Sequence, residues 1–339
     1  MPDFSLACPA PAPERERVLM AHGGGGRLMR ELIEQIFVPQ LRPEHETDAA
    51  TLTPGSRRLA FTTDSFVVSP PFFPGGDIGS LAVYGTVNDL AMMGAEPLAL
   101  SAAFILEEGL RLDVLRRVAG SMAEAARQAG VRIVTGDTKV VECGRADQLY
   151  ITTAGIGALI HDGELAPWRV AEGDEIVLSG DIGRHGMAVM SAREGLAFDP
   201  PILSDSAPVH REALALLRHG VRVHCMRDLT RGGLASAVIE IARAGRVDVE
   251  LDESRIPVRE EVRAACELLG FDPLYVANEG RFVAFVGEGD GERAAALLPG
   301  GAVIGNVRAL GGGTVTLRSA FGTGRLLDLL SGEQLPRIC

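Results

Sequence analysis

Lysine is all but missing from this chain of 339 residues: of its 33 basic residues, only Lys139 is not arginine. A guanidinium stays protonated, whereas an ammonium is a compact charge whose pKa can shift. A lone lysine is therefore a candidate for chemistry that arginine cannot perform, chance retention being the other reading. Positive charge is also in deficit overall. A formal net charge of −12 argues against nucleic acid or an anionic membrane as a bulk partner. No apolar run approaches the ~18 residues that suggest a membrane span. The five cysteines, Cys8, Cys143, Cys225, Cys266 and Cys339, are scattered without any C-x-x-C pair. That pattern suits a reducing cytoplasm and speaks against structural zinc. Tryptophan occurs once, as Trp168, and is expected to serve packing. Internal repeats and coiled-coil heptads are missing as well. The Pro/Ala-rich stretch 1–17 lacks the basic and apolar regions of a signal peptide, and it is expected to be a disordered arm.

What the chain does have is an alternation of apolar helices and strands, long enough for two domains and 46% hydrophobic. Val18-Leu19-Met20 runs into His22-Gly23-Gly24-Gly25-Gly26, followed by Leu28, Leu32, Ile33, Ile36 and Phe37 at helical spacing. A glycine run opening a helix lets backbone N–H groups approach an anion. This one lacks the Lys-Ser/Thr ending of a P-loop and the spacing of a Rossmann fingerprint, so a flexible turn is the competing reading. Strands are expected at Leu59–Phe66, Leu98–Ile105, Val131–Val134 and Leu149–Ile156, and helices over Ser80–Met93 and from Leu112 to Gly130. A linker reads at 166–173. Beyond it strands at Glu175–Leu178, Val221–Cys225, Val247–Leu251 and Arg281–Val286 alternate with helices at Met187–Glu194, Pro208–Arg218, Leu234–Ala244 and Val258–Leu269. The fold class is α/β (α+β), with an N-terminal domain over 18–160, a second α/β domain over 170–315 and a flexible tail over 316–339.

Three aspartates, Asp64, Asp89 and Asp137, fall at or near the ends of these elements. Singly, each reads as a cap or turn residue. Together with Asn88 and Lys139 they make a candidate Mg-nucleotide site, because Mg²⁺ takes a few carboxylates plus phosphate oxygens and water. In the second domain Arg227-Asp228-Leu229-Thr230-Arg231-Gly232-Gly233 opens a helix. A capped start needs only the Asp or Thr. The second Arg and the paired glycines exceed that need and point to phosphate contact. Glu279, in Ala277-Asn278-Glu279-Gly280 before a strand, reads equally as a turn residue or a catalytic base.

The chain ends Pro336-Arg337-Ile338-Cys339, behind a glycine-punctuated segment with Leu326, Leu329 and Leu330 as an apolar face for docking. Such an end can travel unless docked. An inert thiol is the plain reading, since reactivity needs a lowered pKa. The alternative is a thiol carried into the nucleotide site. Prenylation is excluded, because that signal places Cys fourth from the end.

Taken together, His22-Gly23-x-Gly25-Gly26, Thr63-Asp64-Ser65, Val87-Asn88-Asp89-Leu90-Ala91-Met92, Gly136-Asp137-Thr138-Lys139-Val140, Asp228-x-Thr230-Arg231-Gly232-Gly233 and terminal Pro336-Arg337-Ile338-Cys339 resemble the HypE family of hydrogenase maturation proteins. The likeness runs from about residue 18 to the end. The terminal tetrapeptide is its most specific part. The acidic motifs are shared with aminoimidazole ribotide synthetase and selenophosphate synthetase. Leu229 stands where the family usually has Pro.

The resemblance implies an N-terminal sheet domain that dimerises and a second domain over the nucleotide site. It implies a reaction in which a HypF-type carbamoyltransferase loads the Cys339 thiol. ATP then drives dehydration to a thiocyanate, and the cyanide passes to iron held by a HypC–HypD complex. It assigns Asp64, Asp89, Asp137 and Asp228 to Mg²⁺ and ATP, with Asn88, Thr230, Arg231 and Gly232 also on the nucleotide. Lys139 is expected to neutralise charge or handle protons and Glu279 to abstract them. The competing enzyme class is a synthetase of the same superfamily acting on a free small molecule. Against selenophosphate chemistry, no cysteine lies within 22–26. A non-catalytic scaffold whose tail is read by partners is the remaining class.

Overall fold

Alternation builds the first sheet. In β2 (Leu59–Phe66) Ala60, Thr62 and Phe66 are buried, while Phe61, Thr63 and Ser65 face solvent. The computed structural model describes residues 26–32, 34–35, 50–52, 58–319, 321–330 and 338. Residues 1–17, His22 to Gly25 and Cys339 lie outside the described residues. Helix α1 (Arg27–Leu32) and β1 (Ala50–Leu52) come first, and β1 pairs with β2. A small hairpin of β3 (Phe72–Phe73) and β4 (Gly76–Asp77) leads to helix α2 (Ile78–Met92). Asp77 caps that helix: its Oδ1 accepts the N–H groups of Gly79 and Ser80, and Ser80 Oγ accepts the N–H of Asp77.

Strand β5 (Ala95–Glu107), helix α3 (Leu112–Ala129), β6 (Arg132–Val141) and β7 (Leu149–Leu159) complete the unit. The sheet order is β1-β2-β7-β5-β6, antiparallel except for β5 and β6. Helix α2 is so enclosed that only Ser80 and Asp89 along it are not fully buried. Helix α3 is amphipathic: it turns Val118, Met122, Ala125 and Ala129 inward and stops at Gly130, left-handed at φ 69°. The other sheet face leaves Phe61 and Ile105 in the open, and β6 is an exposed edge along nearly its whole length.

The second sheet contains β8 (Glu175–Leu178), β9 (Val223–Asp228), β10 (Val247–Asp252), β11 (Phe282–Val286), β12 (Ala302–Leu310), β13 (Val315–Arg318) and β14 (Gly324–Leu327). Its order is β14-β13-β10-β12-β8-β11-β9, with β10 and β13 its parallel pair. Helices α4 (Arg184–Glu194), α5 (His210–Arg218), α6 (Gly233–Gly245), α7 (Glu260–Leu269) and α8 (Gly291–Ala296) pack around it. With mostly antiparallel neighbours in both sheets, the α+β form of the expected class is the one realised.

Beyond β12 and α8, which the sequence reading does not contain, two stretches differ from it. Residues 315–327, placed mostly in the flexible tail, form β13 and β14, because Val315, Leu317 and Leu327 bury into the second core. Leu329 joins that core, whereas Leu326 faces solvent. Strand β6 also continues well past Val134 to Val141, so Asp137 and Lys139 stand mid-strand rather than at an element's end. One core cluster bridges the two units: Phe66 and Leu81 of the first pack with Met187, Val262 and Ala277 of the second, and Ile338 belongs to it.

Candidate active site at the seam of the two units

Asp64 lies on the inward face of β2, beneath α2. A Cβ on Gly85 would stand 2.9 Å from the Phe66 ring and 3.5 Å from Asp64 Oδ2, so glycine is what lets the helix approach. Two residues earlier on the same face, Thr62 donates its hydroxyl to Asp89 Oδ2 at 2.9 Å. Residues two apart on a strand share a face, as do Gly85 and Asp89 four apart on a helix. Asp64 and Asp89 are thus neighbours across one helix–strand contact.

The second unit supplies Asp228 and Glu279. Asp228 ends β9 opposite Phe282 of β11. The Leu229 N–H donates to Arg281 O at 3.0 Å and the Asn278 N–H to Leu229 O at 2.9 Å, so the two segments run side by side. After Thr230 and Arg231, Gly232 and Gly233 are left-handed, at φ 78° and 61°. A Cβ on Gly233 would also meet Val276 O at 2.6 Å, so a side chain fails there on two grounds. Helix α6 starts here, its N-terminal N–H groups at the seam.

Asn88 joins the units. Its Nδ2 donates to Ala207 O (3.0 Å) and Glu279 O (3.3 Å), and its Oδ1 accepts the Val209 N–H (2.8 Å). Both of its amide donors and its oxygen are therefore engaged with backbone, which makes it a positioning residue for Glu279.

Glu279 is 3% exposed, and among the described residues its Oε1 has no hydrogen-bond partner. Burial drives its pKa well above the usual carboxylate value; the charges of Asp228, Asp64 and Asp205 push the same way, and Arg231 opposes them. Burial likewise raises Asp64, against the Arg231 guanidinium and the Ser65 N–H. Asp205, which sequence reasoning passed over, is 4% exposed. Its Oδ2 accepts the Gly280 N–H at 3.3 Å, and its Oδ1 is unpartnered among the described residues. This collection of hard oxygen donors, short of positive charge, suits a magnesium-bound polyphosphate. Among the described residues no three His, Cys, Asp or Glu side chains form a ready-made metal cage. Mg²⁺ requires none, since phosphate and water complete its shell.

His185 was also missed. It is the second residue of α4, fully buried. Its Nδ1 lies 2.9 Å from Ser204 Oγ and its Nε2 lies 2.6 Å from the carbonyl oxygen of Ile338. Its place in Gly183-Arg184-His185-Gly186, a glycine-rich turn before a helix, was the only signal available.

Asp137 and Lys139 are not brought to this cluster within one chain. The pairing register runs Ser65, Thr152, Ala103, Asp137, one strand row beyond Asp64, Thr153, Ala102, Gly136. Alternation therefore sends Asp137 and Lys139 to the opposite face, and three strand spacings separate β2 from β6, about 14 Å. There they pair with each other, Nζ to Oδ2 3.0 Å, with side chains 72% and 62% exposed.

Comparison with known proteins gives a consistent result. Residues 46–159 match the family model of the AIR synthase related protein N-terminal domain, and 171–318 that of its C-terminal domain. The chain is 49% identical over 336 residues to the carbamoyl dehydratase HypE of Rhodobacter capsulatus, covering 96% of this chain and 98% of that one. Two solved structures are similar along most of their length. One is a HypE–HypF complex (TM-score 0.84, 44% identity, 88% of this chain and 99% of that one). The other is HypE in complex with ATP (TM-score 0.81, 45% identity, 95% and 100%).

Proposed function

Because the chain belongs to the HypE family of AIR synthase related proteins, we propose that it dehydrates a carbamoyl group on its own Cys339. It is an ATP-using carbamoyl dehydratase that acts in hydrogenase maturation. The finer reading is that the product is a Cys339 thiocyanate, whose cyanide becomes a ligand of the NiFe-hydrogenase iron. A HypF-type carbamoyltransferase supplies the carbamoyl group and a HypC–HypD complex receives the cyanide, in the cytoplasm.

The observation that carries this reading is the coincidence of Ile338 and Glu279 at one seam. The residue joined to Cys339 is buried in the core cluster that crosses both units. The same seam holds a carboxyl group with an oxygen unpartnered among the described residues and a pKa that burial lifts well above the usual carboxylate value, the direction that strengthens a proton acceptor.

The chemistry balances as two steps. The carbamoyl oxygen attacks the γ-phosphorus of ATP; one N–H proton is lost, ADP leaves, and an S–C(=NH)–O–phosphate results. The C–O bond then breaks, phosphate departs with that oxygen, and loss of the second N–H proton closes C≡N. Glu279 accepts a nitrogen proton. Arg231 and the backbone N–H groups at the start of α6, with Thr230 and Gly232, face the phosphates. Asp64, Asp89 and Asp228 would hold Mg²⁺, which supplies charge neutralisation and orientation of the triphosphate. Asn88 serves the nucleotide site by holding Glu279.

Asp137 and Lys139 join this assignment through a second copy. The exposed face with Phe61 and Ile105 and the exposed edge β6 form a surface for pairing two chains. A homodimer built there carries each chain's Asp137 and Lys139 toward the other's seam. Deleting Ile338 and Cys339 tests the reading: carbamoyl-dependent turnover should vanish with ATP binding retained, whereas a free-substrate enzyme would keep turning over.

A further inference from the structure

His185 holds the peptide unit that leads into Cys339. The carbonyl of Ile338 is one half of the Ile338–Cys339 peptide bond, and it lies 2.6 Å from His185 Nε2. A carbonyl can only accept, so the proton must sit on Nε2. In a neutral imidazole that leaves Nδ1 as the acceptor, and the Ser204 hydroxyl, 2.9 Å away, donates to it. Ser204 is free to do so because its oxygen already accepts the Ser206 N–H at 3.0 Å, while its own N–H is tied to Pro74 O at 2.9 Å. The ring is braced from the first unit as well: Phe73 meets it edge-on, with centroids 5.3 Å apart and planes at 88°. Backbone, hydroxyl, imidazole and tail carbonyl thus form one directed chain whose last bond ends on the tail.

From this geometry we infer that His185, in its Nε2–H tautomer, is a positioning residue that seats the tail for dehydration. The inference rests on the reading that Cys339 carries the substrate. A seat made of one hydrogen bond and one buried Ile338 side chain is strong enough to orient the thiol's cargo and weak enough to release it between loading and dehydration. Burial keeps the imidazole neutral, opposed by the Asp205 charge and by the bond to Ile338, so the ring contributes a donor and no charge.

Two measurements on the full chain test it. Histidine-ring ¹⁵N NMR, with the signal assigned by its loss in His185→Gln, should show the Nε2–H tautomer for His185. The Nε2 signal should shift when Ile338 and Cys339 are deleted. Single-turnover loss of water from carbamoylated Cys339, at saturating ATP, should slow roughly tenfold in His185→Leu. The rate should recover to within about threefold in His185→Gln, whose amide retains a donor at the Nε2 position. ATP affinity should stay unchanged in both. An Nδ1–H tautomer, or a ring signal indifferent to the deletion, would overturn the inference whatever the rates of the variants. So would equal rates in wild type and His185→Leu. If instead the wild-type chain never loses water from Cys339 while the NMR result holds, the dehydratase reading fails and the docking of the tail stands.

Discussion

Asn88 and Glu279 meet across the seam of the two units, side-chain amide to main-chain carbonyl, at 3.3 Å. Because Asn88 is 2% exposed and bonds three backbone groups, its loss removes three hydrogen bonds at the buried seam at once. Asn88→Ala should cost about 2–4 kcal/mol in urea unfolding. It should also slow dehydration at temperatures where the variant remains folded, since Glu279 loses its anchor. A variant as stable and as active as wild type would remove the positioning role.

Glu279 is expected to destabilise the ligand-free protein at neutral pH. Its folded pKa lies well above the unfolded one. The folded chain therefore binds more protons between the two values, and stability falls as pH rises through that window. Glu279→Gln removes the dependence. The variant should be more stable than wild type at neutral pH, with the advantage shrinking as pH falls into the ordinary carboxylate range. It should also be inactive. Parallel stability curves for the two proteins across that range would contradict the assignment.

Much of this was legible from sequence and some was not. The apolar periodicity that gives α3 its buried stripe and β2 its alternation is a local signal, and both elements stand close to where it placed them. The reach of β6 was not visible. Thr135 to Lys139 is a polar, glycine-containing edge stretch, and only its register against β5 makes it strand. Asp137 and Lys139 therefore looked like residues delivered by a strand end, and their separation from Asp64 follows from pairing order alone. Residues 316–327 read as tail from sequence because β13 and β14 are short and β10, the partner of β13, lies far back in the chain. Asp64, Asp89 and Asp228 stand out in the sequence as acidic residues at element ends or a helix start, and Glu279 as an acidic residue in the turn before a strand. Asp205 and His185 acquire meaning only once Gly280, Ser204 and Ile338 are placed beside them.

The register also predicts complementation. If Lys139 acts on the other copy's seam, Lys139→Ala and Glu279→Gln chains, each inactive alone, should recover activity when mixed and allowed to exchange subunits. Random pairing makes half the dimers mixed, each with one complete site, so recovery should reach about a quarter of wild type. No recovery, with exchange verified, would confine Lys139 to its own chain or exclude it from the reaction.

Carbamoyl loading should not depend on the internal thiols of Cys143, Cys225 and Cys266. Cys225 and Cys266 are buried, and burial pushes the Cys266 thiol up to about 12, so neither should react in the native chain. Cys143 is exposed and should alkylate readily. Cys143→Ser should nevertheless leave carbamoyl loading and dehydration unchanged. Loss of either would move the carrier role to the loop after β6.

Intact-mass spectrometry of the chain itself tests the dehydratase reading most directly. After incubation with a HypF-type carbamoyltransferase, carbamoyl phosphate and ATP, then ATP alone, the protein should gain one carbamoyl group and afterwards lose one water. Both changes should map to the peptide ending in Cys339. A carbamoyl adduct that persists while ATP is hydrolysed, or one that forms on another residue, would contradict it.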